Sequence, residues 1–492
     1  MNIYTLPTIY PVTCHTDHVG PGSTFVAIVG NKQDGTQYIK KALERGATTI
    51  VFAQDSPLSP ELLEYISTVY PTDTLQINSV NDTRLALAQL SAQAHDNPAK
   101  KLKIIGVTGT KGKTSTAFLL HHILTVSGYA TALISGVYNS IGDQKFPTHL
   151  TTPQPDYLHM FFAECVKKNI EYVVMEVAAQ ALSLHRVHGI NYSGIVFTNF
   201  DHEHAEFYNS YDDYFNAKKI LFTQLLNNNA PVIINNDDNK GSYMLQHPEL
   251  INSSALYAYG ITDQTQKNSH FWKAHIISSP EESLELDVTC AHFNNSTRIS
   301  CPALYGNFNA YNLLGAVALA AQLGIDISKI AQALSSFAGV PGRLERHELP
   351  NGAIGIIDYA HTPSSFNAVL PLLRTLTDHL IVIFGPAGER DPYKRPIMGS
   401  IAATYGDTVI ISSDNPRSED MMTMINMVIP GVAQKDRHKL IIEPDREQAI
   451  RIAYTLSRPG TIIALLGKGP DEYQQIGSIK HYFSEKAIFR SL

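Results

Sequence analysis

The segment that most constrains this chain lies a fifth of the way along it. Leu102–Val107 is a short apolar run of strand type, the loop TGTKGKT follows at once, and Ser115–Val126 carries apolar residues at helical spacing until Ser127-Gly128. A strand running through a glycine loop into a helix is the opening of a βα unit, which commits the region to a parallel sheet. The full loop reads Gly106-Val-Thr-Gly109-Thr-Lys-Gly112-Lys113-Thr114. Glycines let backbone N–H groups close around phosphate oxygens, and a helix N-terminus adds a favourable dipole. Gly109, Thr110, Lys111 and Gly112 would form such a cradle. Lys113 would reach the β- and γ-phosphates of ATP, and Thr114 would hold Mg²⁺. The glycine usual four residues before Gly-Lys is missing, its place taken by Val107 or Thr108. The bland alternative is a glycine-rich turn that binds nothing; the strand before it and the helix after it argue against that.

The bulk numbers exclude several classes. A chain of 492 residues has room for about three domains. With 44% hydrophobic and 17% charged residues a packed globular protein is expected rather than a disordered one. A net charge of -7 disfavours a general nucleic-acid binder, whose affinity would rest on Lys and Arg against phosphates. The four cysteines, Cys14, Cys165, Cys290 and Cys301, show no C-x-x-C pair, so neither a zinc site nor a disulfide framework is expected. The N-terminus lacks the basic start and apolar core of a signal peptide. No apolar run approaches about 18 residues, so no membrane span is expected. These features are those of a soluble cytoplasmic protein.

Along the chain, Thr24–Val29 and Thr48–Phe52 read as strands and Tyr38–Arg45 as a helix stopped by Gly46. The polar stretch His95–Lys100 reads as a linker. After the glycine loop, strands are expected at Tyr172–Met175, Gly194–Phe197 and Val232–Ile234, added antiparallel strands within 255–303, and a helix at Tyr311–Leu323. A third unit opens near GVPGR (339–343), with strands at Ile354–Ile357, Leu380–Phe384, Thr408–Ile411 and Thr461–Leu466 separated by helical stretches. The expected domains are therefore 1–98, 99–338 and 339–492.

In an open parallel sheet, ligands bind beyond the carboxyl ends of the strands. Glu176 follows one expected strand, Thr198-Asn199 and His204 follow another, and the glycine loop follows its own; parallel strands would bring all three to one edge. The third unit repeats the pattern. DYAHTP (358–363), GPAGERD (385–391), SDNPR (413–417) and GKGPDEY (467–473) each come just after an apolar strand.

G-x-T-G-T-x-G-K-T, together with motifs in the same order along almost the whole chain, resembles the Mur ligase superfamily, which includes folylpolyglutamate synthase. The likeness is strongest to the members that add the third residue of the peptidoglycan stem peptide. The resemblance implies three α/β domains: an N-terminal UDP-binding domain, a central P-loop ATPase domain with a mostly parallel sheet, and a C-terminal Rossmann-like domain. It implies an ADP-forming ligase that activates a carboxylate as an acyl phosphate and joins it to an amine, here meso-diaminopimelate added to UDP-MurNAc-L-Ala-D-Glu.

It also implies roles for single residues. Lys113, Glu176, His204 and Lys218 would be catalytic, with Thr114, Glu176, His204 and a carbamylated Lys218 around Mg²⁺; neighbouring Lys219 is the decoy. Asn309 and Asn312 in GNFNAYN would contact adenine, although an Asn-rich loop capping the next helix fits those residues equally well. Arg343 would lie near the nucleotide and Asp358 on its ribose side. Thr151, Thr152 and Arg186 would hold the UDP-sugar peptide, with the Val19–Asp34-Gly35 segment matching the UDP-binding domain in outline. Asp414, Asn415 and Arg417 form the amino-acid-selecting motif, joined by Arg390, Gly467 and Asp471. A guanidinium grips a carboxylate in bidentate fashion, and lysine has no distal carboxylate to offer it. Substrates would be the only partners, with no nucleic acid or membrane, and the protein a monomer.

The chain departs from the family pattern at His15-Thr16-Asp17, at Ala178-Ala179-Gln180, at Glu203 before His204, and at Pro470-Asp471. These changes cluster on the acceptor and amine sides, while the ATP side is nearly intact. Two other readings therefore stand beside the first: a divergent ligase joining a different pair, and a nucleotide-binding protein that has lost ligation.

Overall fold

The computed structural model describes the chain except residues 1–4, 31–32, 72–73, 202–206, 228, 254, 263–269, 279–282 and 291–295, and all that follows concerns the described residues. The chain begins with four short strands, β1 (Val12–Thr13), β2 (Thr24–Val26), β3 (Thr49–Ala53) and β4 (Gln76–Val80), paired in that order and all parallel. Helices α1 (Ile39–Glu44), α2 (Pro60–Val69) and α3 (Thr83–Ala94) connect and follow them. Ser59 and Asp82 cap α2 and α3, each side chain accepting from backbone amides of the first turn. The strand expected to reach Val29 stops at Val26, and Asp34 caps the 3-10 turn that follows by accepting from the Thr36 amide and the Ser56 hydroxyl. The expected linker is in part a 3-10 turn, Pro98–Lys101, entered through left-handed Asp96 and Asn97.

Next come β5 (Lys103–Thr108), α4 (Lys113–Val126), β6 (Thr131–Ile134), β7 (Asn139–Ile141), β8 (Gln144–Phe146), α5 (Pro155–Lys167), β9 (Tyr172–Glu176), α6 (Ala179–Ser183) and β10 (Tyr192–Phe197). After them come α7 (Tyr211–Gln224), β11 (Val232–Asn235), α8 (Asn239–Gln246), β12 (Leu256–Gly260), β13 (Phe271–Ile276), β14 (Leu284–Cys290) and β15 (Thr297–Cys301). The strands run β12-β11-β10-β5-β9-β6-β7-β8, with β13 beside β12. From β12 to β6 every pairing is parallel, and β7 and β8 form an antiparallel edge. The strands within 255–303 are not all of one kind: β12 and β13 pair in parallel with the run before them, which corrects the expectation for those two, while β14 and β15 pair antiparallel as expected. Alternation of apolar and polar residues marks a half-exposed strand, not its direction.

Two helices follow, α9 (Asn307–Gln322) and α10 (Ile327–Ser335). The last part holds β16 (Glu345–Glu348), β17 (Ile354–Asp358), α11 (Pro363–Thr375), β18 (Leu380–Phe384), α12 (Lys394–Tyr405), β19 (Thr408–Ile411), α13 (Met421–Val428) and β20 (Leu440–Ile442). It ends with α14 (Arg446–Leu456), β21 (Ile462–Leu466), the hairpin β22 (Tyr473–Ile476) and β23 (Ile479–Tyr482), and α15 (Glu485–Arg490). Its sheet runs β16-β17-β21-β18-β19-β20, parallel throughout except at β16.

The chain divides into two compact units. The first comprises Met1–Lys273, Cys290–Asn294 and Asn312–Ala333; the second comprises Ala274–Thr289, Asn295–Tyr311 and Leu334–Leu492. In the first, Ile104, Ile105, Val173, Val174, Ile195 and Val196 are fully buried, as strands covered on both faces by helices must be. Within this unit one carboxylate ties the opening sheet to the larger one. Buried Asp156, in the first turn of α5, accepts from the Thr13 hydroxyl at 2.9 Å and the Cys14 amide at 3.2 Å. Asp156→Ala would leave the Cys14 amide unmatched and the Thr13 hydroxyl with only a long bond to the His15 carbonyl. It is expected to cost about 3 kcal/mol, measurable as an earlier unfolding transition in urea.

Candidate functional site

In the first unit, β5, β9 and β10 lie side by side and parallel, so their carboxyl ends meet. The loop after β5 needs its glycines. Gly109 and Gly112 have φ of 146° and 80°. A Cβ on Gly109 would sit 1.9 Å from Thr198 Oγ1, and one on Gly112 would sit 2.1 Å from Asn312 Oδ1. The segment after β10 clamps the loop. Asn199 accepts from the Thr110 amide through its carbonyl and from the Lys111 amide through its side chain, and the Thr198 hydroxyl donates to the Lys111 carbonyl. Lys111 points to Asp201 at 3.1 Å. The Lys113 ammonium donates to the Gly109 and Thr110 carbonyls at 3.0 and 2.8 Å, folded over the loop at the start of α4.

Glu176, 1% exposed, ends β9 and faces this loop. Its Oε2 accepts from the Thr114 hydroxyl at 3.0 Å and its Oε1 from the Gly136 amide at 2.8 Å. Buried Lys218, on α7, donates to the Gly109 carbonyl at 2.9 Å and lies 4.7 Å from the centre of the Tyr214 ring. Lys219, by contrast, bonds only weakly to Asn216 on the exposed side of α7. His204 lies outside the described residues. The network continues from Glu176. Its carbonyl accepts from the Thr152 hydroxyl, which in turn accepts from the Ala178 amide, and the Thr152 carbonyl accepts from Arg186. Burial, reinforced by Arg84, lowers the Arg186 pKa. Thr151 stands beside Gly136. The sequence departure at 178–180 therefore sits at the start of α6, one bond from Thr152.

Asn309 and Asn312 do not lie in a turn before a helix. The helix starts at Asn307, so both belong to its first turns. Asn312 packs on Gly112 in the first unit, and Asn309 in the second unit donates to the Tyr305 carbonyl.

The second unit gathers its motifs in the same manner. Asp358 ends β17, and its two carboxylate oxygens accept from the Leu344 and Ala360 amides at 2.8 and 2.7 Å. Burial raises its pKa and Arg343 opposes the rise. The Arg343 guanidinium stacks 4.6 Å over the Tyr359 ring. Asp414 and Asn415 are buried. The Asn415 side chain accepts from the Gln475 amide, and its carbonyl accepts from the Gly388 amide. Arg417 adopts a left-handed conformation with φ of 52°, and its guanidinium donates to the Gly388 carbonyl. Arg390 is exposed on the same 385–391 loop. Gly467, with φ of 114°, approaches Asp414 and donates to the Asp358 carbonyl. Asp471 has its pKa raised, by burial first; Lys468 opposes this and Asp414 reinforces it.

Sequence reasoning did not single out Lys468, whose fully buried ammonium lies 3.4 Å from Asp414 Oδ1. Its position inside Gly-Lys-Gly was the available signal. It also passed over Gly136, whose role is a backbone amide and leaves no mark on residue type. Glu345 was missed as well. Burial alone would raise its carboxyl, but the His347 ring, the Lys486 ammonium and the Gly342 amide outweigh that and hold it at about 2. It thereby braces the turn that carries Arg343.

Three family models match the chain: "Mur ligase family, catalytic domain" over residues 8–95, "Mur ligase middle domain" over 107–320, and "Mur ligase, glutamate ligase domain" over 342–469. Among curated proteins, the chain is 35% identical over 478 residues to the UDP-N-acetylmuramoyl-L-alanyl-D-glutamate–2,6-diaminopimelate ligase of Cytophaga hutchinsonii, covering 96% of this chain and 92% of that one. It is 36% identical over 467 residues to an enzyme of the same name from Clostridium acetobutylicum, covering 94% and 90%. A solved structure of a ligase of that name superposes with a TM-score of 0.64 at 25% identity, covering 98% and 94%.

Two outcomes are expected. Gly109→Ala places a methyl on Thr198 Oγ1 and should abolish measurable magnesium–nucleotide binding in calorimetry while the far-ultraviolet spectrum stays that of the parent. The Glu345 carboxyl, depressed in the folded state, contributes stability that is present above pH 4.5 and lost as pH falls toward 2. Glu345→Gln should therefore lower stability at neutral pH and flatten its pH dependence across that window, read by thermal melts.

Proposed function

The chain belongs to the Mur ligase family, and from that premise we propose that it is an ATP-dependent ligase that adds diaminopimelate, in its meso form, to UDP-MurNAc-L-Ala-D-Glu. The observation that carries the reading is the meeting of the Gly109–Thr114 loop, Glu176 and Lys218 at one sheet edge. The division into domains at 1–98, 99–338 and 339–492, a cytoplasmic location and a monomeric state belong to the same reading; no described helix is long and apolar enough to cross a membrane.

The reaction has two steps. An oxygen of the acceptor carboxylate attacks the γ-phosphorus of ATP, the bond to the β-bridging oxygen breaks, and ADP leaves. The diaminopimelate amine then attacks the acyl carbon, phosphate departs with its oxygen, and the amine loses a proton to give the amide. The loop amides and Lys113 hold the triphosphate and offset the charge that grows in the first step. Asn309, Asn312, Arg343 and Asp358 bind the nucleoside. Thr151, Thr152 and Arg186 hold the acceptor. Asp414, Asn415, Arg417, Arg390, Gly467 and Asp471 orient the amino acid.

Mg²⁺ fits the residues present. Thr114 and Glu176 bring two hard oxygen atoms together, the hydroxyl donating to the carboxylate at 3.0 Å, and both are of the type that would hold Mg²⁺. A carbamate on Lys218 and the His204 ring complete the proposed ligand set. When bound, the ion would neutralise phosphate charge and hold the γ-phosphoryl group in line.

The test is ADP release by the purified protein with UDP-MurNAc-dipeptide and a panel of amines. Release with diaminopimelate alone is expected. Release only with another pair would replace the substrate assignment, as the departures at 178–180 and 470–471 would then explain. No release with any pair would overturn ligation. Arg417→Ala should raise the KM for diaminopimelate by about ten- to a hundred-fold without moving that for ATP. Lys218→Ala should cut kcat by about a hundred-fold or more, and Lys219→Ala should leave it unchanged. A carbamate carbon signal from isotope-labelled bicarbonate, absent in the Lys218 variant, would identify the modification.

A further inference from the structure

One buried cation in the second unit has no place in the mechanism above. Arg446 opens α14 and is 1% exposed. Its Nε donates to Glu485 Oε1 at 2.7 Å, one terminal nitrogen donates to the Leu466 carbonyl at 2.9 Å, and the other reaches the Ser413 carbonyl at 3.4 Å. Leu466 and Ser413 immediately precede Gly467 and Asp414. They end β21 and follow β19, strands that are not neighbours: β18 lies between them. A single guanidinium therefore ties together two loops of the amino-acid side across the end of a third strand. Its counter-ion opens α15, where Glu485 is 3% exposed and its Oε2 has no hydrogen-bond partner. Ser484, just before it, donates to Glu472, the neighbour of Asp471.

We infer that Arg446, held by Glu485, is a positioning residue for the amino-acid pocket: it fixes the spacing between the Asp414–Arg417 loop and the Gly467–Asp471 loop and so tunes affinity for the amine. A buried ion pair adds little stability compared with well-packed apolar residues of the same volume, because both charges lose their hydration. What this pair supplies is geometry. Five N–H donors in a rigid plane fix several acceptors at once, which a lysine ammonium on a flexible stem does not. Both carbonyls it grips sit one peptide before proposed substrate contacts, so a shift there moves Asp414 and Gly467 directly. Misplacement of such contacts by about 1 Å can cost on the order of a hundred-fold.

The inference rests on the ligase reading, and the experiment separates the two. Steady-state KM values for diaminopimelate, ATP and UDP-MurNAc-dipeptide are measured for the parent, Arg446→Lys and Glu485→Gln, well below each melting temperature. Arg446→Lys should raise the KM for diaminopimelate by about ten- to a hundred-fold while the other two stay within about two-fold, and Glu485→Gln should move it the same way by less. A parent that releases no ADP with diaminopimelate sinks the ligase reading itself. An active parent whose folded variants show equal KM values, or a rise shared by all three substrates, overturns the inference alone. If Arg446→Lys does not fold, Glu485→Gln decides by the same criterion. If neither folds, the pair is a support of the fold and the inference is likewise overturned.

Discussion

Parallel pairing of β5 with β9 and β10 imposes the constraint from which the first unit's chemistry follows. Strands in the same direction cannot be joined by a tight turn, so each must hand the chain to a crossover at its carboxyl end. Three consecutive handovers then fall beside one another. In this chain they carry Gly109–Thr114, Glu176 and Thr198-Asn199. The close fit of the glycine loop against Thr198, Asn199 and Asn312 follows from that adjacency, as does the bond from Thr114 to Glu176.

The second unit applies the same rule with different residues. β17, β21, β18 and β19 end together, and the loops that leave them carry Asp358, Gly467-Lys468, the 385–391 segment and Asp414–Arg417. Its polar interior differs in kind. Where the first unit sets Lys113, Lys218 and Glu176 around a glycine turn without pairing them to one another, the second is braced by buried ion pairs: Lys468 with Asp414 and Arg446 with Glu485. Buried pairs of this sort carry directional information at little net gain in stability. That suits loops that must discriminate among amino acids rather than merely hold together.

Much of this was legible in the sequence because period and punctuation survive without a structure. Apolar strand runs such as Leu380–Phe384 and Thr408–Ile411 match the observed elements to the residue, and polar motifs directly after them had to share an edge once the strands were parallel. Strand direction was not legible from residue pattern alone, which is why β12 and β13 were expected to be antiparallel. The start of α9 was missed because Asn307 and Asn309 are poor helix formers that favour caps, while the helix is fixed by the burial of Ala310, Leu313 and Leu314. Contacts that use only backbone, such as the Gly136 amide on Glu176, leave no trace in residue type. Long-range pairs such as Arg446 and Glu485 leave none in spacing.

The carboxylate of Asp156 bears on how the N-terminal segment can be exchanged among relatives. The opening sheet reads as a separable module, with its own parallel strands and its own core around Phe25 and Ile50. Yet Thr13 and Cys14 are both satisfied by a group that arrives much later in the chain, on α5. A chimera built by swapping everything up to Ala94 would inherit the donors without their acceptor unless the residue at 156 travelled with them. In this protein, the unit of modular exchange is larger than the unit of secondary structure.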